Sequence, residues 1–202
     1  ANAVCIGNHE PTGISNDYYG AEQYIRRQKI AFMPIPIPVQ SRLPASERQR
    51  AMAALLQEMG LKAPTGAVIG FIPSRLDYEW KGQDRLLQAL LQLQRAGQAS
   101  NLYLIFSGWG VDLHNAKAYA KKHGITDRIG FLDSALSKPL LFRFYLAADF
   151  VVDQFKVGMY GTSALEAMAC GAPLIIWLNE AYERPWGAPP VIQAQTADDI
   201  AI

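Results

Sequence analysis

The sequence predicts an α/β domain, a doubly wound parallel sheet of about six strands with helices on both faces. Two observations predict it. Short unbroken apolar runs recur from Gly66 onward, and stretches with apolar residues at helical spacing lie between them. Strands buried on both faces read as continuous apolar runs, and parallel neighbours need a crossover, usually a helix.

The elements follow in order. Residues 1–45 are rich in Asn, Gly, Pro and Tyr and contain the run Pro34-Ile-Pro-Ile-Pro38. Alternating prolines keep the backbone extended and remove ladder donors, so this stretch reads as the tail of a preceding domain and an interdomain linker. Residues 46–202 read as the α/β domain. A first helix is expected from a Ser46/Gln49 capping box, through Met52, Leu55, Leu56 and Met59, to a stop at Gly60. Strands are expected at Ala67–Ile72, Leu102–Phe106, Arg128–Leu132, Phe150–Val152, Pro173–Trp177 and Val191–Gln193. Helical stripes between them comprise Leu86, Leu87, Leu90 and Leu93, then Leu113, Ala116 and Ala120, then Leu140, Leu141, Phe144 and Tyr145, and finally Thr162 to Cys170. This is a Rossmann-like pattern. Thr196 and Asp199 form a capping pair for a helix that the chain does not complete, so a domain truncated at its carboxyl end, cut from a longer protein, is expected.

Composition narrows the function. Hydrophobic residues make up 50% and charged residues 18% of 202 residues, and the formal net charge is +1. Such a balance gives no global attraction for nucleic acid or an anionic membrane, so an anionic ligand would need a local arrangement of groups. Cys5 and Cys170 lie far apart, which suits reduced thiols and a cytoplasmic setting. The isolated His9, His114 and His123 give no metal spacing. The apolar run from Ala167 to Leu178 is short and interrupted by Gly171 and Pro173, so no transmembrane segment is expected.

Open α/β sheets bind ligands beyond the carboxyl ends of their strands. Basic residues, hydroxyls and glycines collect in those loops: Pro73–Gly82, Ser107–Gly110, Asp153–Ser163 and Asn179–Gly187. Arg75 and Lys81 flank the first strand-to-helix turn, and a guanidinium with an ammonium can hold phosphate oxygens. The alternative is that they pair with Asp77 or Glu79 on a solvated loop. Gly161, Thr162 and Ser163 open a helix whose free N–H groups attract an anion, or else the hydroxyls simply cap it. Glu166, among small and apolar residues, either accepts hydrogen bonds from ribose hydroxyls or is a partly exposed residue favoured by the helix dipole. Gly108-Trp109-Gly110 lacks the dinucleotide fingerprint and the acid that should follow it, which argues against a nicotinamide enzyme. Trp109 either stacks on a ligand or shields the helix start.

Several motifs in order resemble the carboxyl-terminal domain of GT-B-fold glycosyltransferases of the group 1 type, over about residues 66–180. Ser74-Arg75-Leu76 with Lys81-Gly82 is similar to that family's Gly-Arg-Leu…Lys-Gly element. Leu104–Gly110 resembles its strand and Gly-x-Gly turn, Gly124–Leu132 its next helix-to-strand passage, and Ala147–Asp149 with Leu165–Pro173 its best-known segment. The resemblance implies a hexosyltransferase that is mostly of the retaining kind, without a metal cofactor. Arg75 and Lys81 are then catalytic, stabilising charge on the departing nucleoside diphosphate. Gly108, Gly110, Gly161, Thr162, Ser163 and Glu166 bind the nucleotide-sugar donor, Glu166 at the ribose, with Leu132 near the base. An amino-terminal domain, reached through Asn16-Asp17 and the proline run, binds the acceptor and sets any peripheral membrane association, so this chain alone binds donor weakly and transfers nothing. One position departs: a second family Glu, near the donor sugar, is here Gly158. Nucleotide binding survives that change better than turnover does. A nucleotide-sugar epimerase of related fold and a non-catalytic nucleotide-binding module are the competing readings.

Overall fold

A computed structural model describes residues 4–6, 30–32, 37–179 and 190–201. Two compact units divide between Pro38 and Val39. In the first, β1 (Val4–Ile6) pairs in parallel with β2 (Ile30–Phe32). Asn16-Asp17, Pro34–Pro36 and the stretch 180–187 lie outside the described residues.

In the second unit, α1 (Ala45–Glu58) leads into β3 (Val68–Ile72), α2 (Gln83–Arg95), β4 (Leu102–Phe106), α3 (Leu113–His123) and β5 (Ile129–Phe131). Then follow α4 (Lys138–Ala147), β6 (Phe150–Val152), α5 (Thr162–Ala169), β7 (Leu174–Ile176), β8 (Ile192–Gln193) and α6 (Ala197–Ile200). The sheet runs β5-β4-β3-β6-β7-β8, with every pairing parallel. After β5 the chain crosses back to lay β6 against the other side of β3. The β3/β6 seam is therefore the topological switch point, where such sheets bind ligands.

Strand alternation sends side chains to two cores. Ile69 and Phe71 of β3, with Tyr103 and Ile105 of β4, pack under α1, α4 and α5 through Leu55, Phe144, Tyr145 and Ala167. Phe71 stacks on Phe144 with ring centroids 4.7 Å apart. Ile72, Leu104 and Phe106 face the other way, onto Leu86, Leu87 and Leu90 of α2 and Ala116 and Ala120 of α3. At Gly70 a Cβ would stand 2.4 Å from the Phe150 ring, so glycine there lets β3 and β6 pair with Phe150 lying across them.

The expected capping box at Ser46 does not form. Pro44 is the N-cap residue of α1, and its carbonyl accepts from the amides of Glu47 and Arg48 at 3.0 and 2.9 Å. Proline's fixed φ is already helical, so the helix starts earlier and Ser46 falls inside the first turn. The Thr196/Asp199 box does form, with Asp199 N donating to Thr196 Oγ1 at 3.1 Å and Thr196 N to Asp199 Oδ2 at 2.7 Å. No helix among the described residues is long and apolar enough to cross a membrane.

Candidate functional site

The loop leaving β3 is braced before it reaches any ligand. Ser107 Oγ donates to Ser74 O at 2.6 Å, and Ser74 Oγ donates to Asp153 O at 3.2 Å, tying the ends of β4, β3 and β6 together. Gln83, fully buried at the start of α2, donates to Arg75 O at 2.7 Å and accepts from Asp77 N at 3.1 Å. Asp77 in turn accepts from Trp80 N and from Arg75 Nε, both at 3.1 Å. The Arg75 side chain remains 45% exposed, and its terminal guanidinium nitrogens make no hydrogen bond among the described residues. The salt bridge foreseen as an alternative therefore exists for Arg75, but it uses one edge of the fork only.

Lys81 does something the sequence did not suggest. It pairs with neither Asp77 nor Glu79 but reaches across the switch point to Asp153 at the end of β6, Nζ to Oδ1 at 3.1 Å. Its backbone joins the same crossing, with Phe155 N donating to Lys81 O at 2.8 Å. The Lys81 side chain is 21% exposed and that of Asp153 wholly buried. Gly161 stands beside both, since a Cβ there would meet Asp153 Oδ2 at 2.9 Å and Lys81 Nζ at 3.6 Å. Lys81 and Gly161, picked out separately in the sequence, thus meet at Asp153.

Gly161 is the N-cap residue of α5, and no side chain caps that helix. Thr162 and Ser163 are its first residues and neither hydroxyl caps it, so the capping alternative fails, and the helix starts at the side of Lys81. One turn on, Glu166 is 5% exposed. Its carboxylate is ion-paired with Lys138 at the start of α4 and accepts from the Tyr145 hydroxyl at 3.3 Å. That pairing explains how the acid is tolerated among apolar neighbours. Burial first, then the adjacent Glu166 charge, push the Tyr145 phenol far above its ordinary range, so it stays a proton donor to that carboxylate.

Gly108, Gly110 and Leu132 come together around backbone. A Cβ on Gly108 would fall 1.5 Å from Leu132 O, and one on Gly110 2.2 Å from Leu76 O. Gly110 also has φ of 122°. Leu76 N donates to Trp109 O at 2.9 Å. Close packing of the β3, β4 and β5 loops is what requires these two glycines. Leu132 is 3% exposed in the core. Trp109 is 43% exposed, and His114 lies on the surface.

The loop after β6 is wound about Gln154, a residue 1% exposed. Gly158 within it has φ of 72°, and a Cβ would stand 2.7 Å from the Trp177 ring. The place of the family's second Glu is therefore a left-handed turn closed to any side chain. Gln83, Lys138, Asp153 and Gln154 were not picked out as site residues in the sequence, and Tyr145 entered only as part of a helical stripe. For Asp153 a signal existed, an acid ending an apolar strand.

A cavity of about 400 Å³ lies elsewhere, lined by Met52, Leu56, Ala67 and Asp149 at the amino ends of β3 and β6. No group of acidic, His or Cys side chains suited to a metal occurs among the described residues.

Comparison with known proteins bears on what these elements serve. A family model described as glycosyl transferases group 1 matches residues 59–181. A D-inositol 3-phosphate glycosyltransferase of Segniliparus rotundus is 30% identical over 165 residues, 81% of this chain and 34% of that protein. The chain spans about a third of the length of the curated relatives it matches. Among solved structures, the C-terminal domain of a group 1 family protein, LpcC, from Francisella tularensis superposes with a TM-score of 0.59 at 22% identity, covering 82% of this chain and 84% of that one. The pneumococcal O-GlcNAc transferase GtfA, in complex with UDP and GlcNAc, gives 0.60 at 16% identity over 100% of this chain and 36% of its own. At those identities the two structures speak for the shared fold.

Proposed function

We propose that this chain, which belongs to the group 1 glycosyl transferases, is the part of its enzyme that holds a nucleoside-diphosphate sugar and stabilises the diphosphate as the sugar leaves. The observation that carries the reading is the meeting of Lys81, Gly161 and the start of α5 at the β3/β6 seam. A cation, a bare backbone and a helix start that no described side chain caps converge where a doubly wound sheet binds phosphate. Arg75 adds a guanidinium whose terminal nitrogens can take phosphate oxygens bidentately. These fixed donors would act without a metal, since charge building on the departing diphosphate meets groups already in place. Glu166 takes the ribose hydroxyls, kept ready by Tyr145 and Lys138. The transfer is of a hexosyl group, with retention, to an acceptor held by the family's other domain.

Loss of one such donor should cost about 10²–10³ in turnover. In the full-length enzyme, Lys81→Ala and Arg75→Ala should each lower transfer by that order and weaken nucleoside-diphosphate binding. Unchanged transfer in both variants would remove the diphosphate role from these residues. The closed turn at Gly158 favours one second reading, a module that binds nucleotide without transferring sugar. Full-length protein that binds a nucleoside diphosphate but hydrolyses and transfers no donor would establish it.

A further inference from the structure

The outer face of α3 has no part in the core or in the diphosphate site. Ala116 and Ala120 turn inward and are fully buried, whereas His114, Lys117, Ala118, Lys121 and Lys122 are exposed. No acidic residue occurs from Leu113 to Thr126. The chain carries a net charge of +1, so the lysines gathered here leave the remainder net negative. Lys117, Lys121 and Lys122 form no ion pair among the described residues, and Lys117 lies 5.6 Å from the centre of the Phe131 ring instead. The acids that border the helix are occupied: Asp112 accepts from Tyr78 N and Asn115 Nδ2, both at 2.7 Å, and Asp127 pairs with Arg128 at 3.3 Å. The helix dipole favours cations in the last turn, which suits Lys121 and Lys122 but does not account for Lys117.

Exposed apolar side chains lead into this helix. Val111 is 80% exposed and Trp109 43%. Leu113 N donates to Gly110 O at 3.3 Å and Ala116 N to Asp112 O at 2.9 Å, so the helical sense begins ahead of Leu113. Val111 then stands in line with Ala118 and Lys122, two and three turns on. The ridge is apolar where it starts and basic along its length.

Such a ridge fits a plane that is anionic at its surface and apolar just beneath. Ammonium groups on flexible stems settle among lipid phosphates, while Val111 and the Trp109 indole reach the acyl boundary. A nucleic acid would meet the lysines equally well but offers no apolar layer to Val111. We propose that α3 and the turn leading into it dock this domain reversibly on an anionic lipid surface. The contact is independent of the diphosphate site.

The test is sedimentation of the 202-residue chain with vesicles of phosphatidylcholine alone, or mixed equally with phosphatidylglycerol. Wild type should pellet with the mixed vesicles and not with phosphatidylcholine, and raised salt should release it. Each lysine changed to glutamine should lower partitioning about fivefold, the contribution of one cation near such a surface. The triple variant Lys117→Gln/Lys121→Gln/Lys122→Gln should stay in solution. Since these side chains are exposed, the variants should keep the circular dichroism and thermal midpoint of wild type. Tryptophan emission should move to shorter wavelength on the mixed vesicles, and move less in Trp109→Phe. Wild type that fails to pellet, a triple variant that pellets undiminished, or an emission shift unchanged in Trp109→Phe would overturn the proposal. So would binding to a single-stranded RNA with none to the vesicles, which would assign the face to nucleic acid.

Discussion

At Gln154 a single carboxamide organises the loop that ends in Gly161. Its Nε2 donates to Met159 O and Trp177 O at 3.1 and 2.7 Å, and its Oε1 accepts from the amides of Lys156, Val157 and Gly158. Truncation would leave these groups buried and unpaired, so Gln154→Ala should destabilise by roughly 3 kcal/mol in urea denaturation. A loss below about 0.5 kcal/mol would mean that the loop is held by other contacts. Cys170 offers a second residue-scale test. Burial first, then the nearby Glu166 charge, push its thiol from 9.0 up to about 11, against the opposing pull of Arg42. Because the folded value lies above the unfolded one, the native state favours the neutral thiol. That advantage is intact below pH 9 and is lost as pH rises from there towards 11. Wild-type stability should therefore fall more steeply than that of Cys170→Ala over this interval, and parallel curves would contradict the assignment.

Among the loops joining the elements, glycine substitutions separate crowding from conformation. Gly108→Ala would drive a Cβ into Leu132 O, an immovable backbone atom, and should cost about 3 kcal/mol or more. Gly97, with φ of 74° and nothing within 4 Å of its missing Cβ, should cost about 1 kcal/mol as alanine, from backbone strain alone. Equal losses in the two variants would contradict the packing account of the Gly108 turn. At this scale much was readable in the sequence. Leu102–Phe106 and Phe150–Val152 are the strands expected, and the other four expected strands are shorter by one residue at one or both ends, because apolar runs bounded by turn residues are local signals, whereas β1 and β2 were not expected. The start of α1 was misread because Ser46 is a good cap by composition, while the preceding Pro44 initiates the helix first. The pairings of the candidate site could not be read this way. Lys81 meets Asp153, and Glu166 meets Lys138 and Tyr145, only through the strand order that brings β3 beside β6 and α4 beside α5. Nothing in local spacing encodes such contacts, and Gln83 and Gln154 are inconspicuous letters until their surroundings bury them.

For the second unit as a whole, the order β5-β4-β3-β6-β7-β8 makes one seam different from all others. Helices α2 and α3 lie on one face of the sheet and α4 and α5 on the other, so the crossovers diverge on either side of β3 and β6. Arg75, Lys81, Asp153 and the start of α5 are all carried by the loops that leave those two strands. The nucleoside-diphosphate site proposed above lies at this seam, in a chain that belongs to the group 1 glycosyl transferases. A ligand bound to the native state alone raises apparent stability by mass action, by about 2.7 kcal/mol at a hundredfold excess over Kd. Thermal denaturation of the chain with millimolar UDP, GDP, ADP and TDP, alongside Lys81→Ala, tests this most directly. At least one diphosphate should raise the midpoint of wild type, with the rise abolished in the variant; no rise with any of them, or an equal rise in Lys81→Ala, would contradict a diphosphate site built on Lys81.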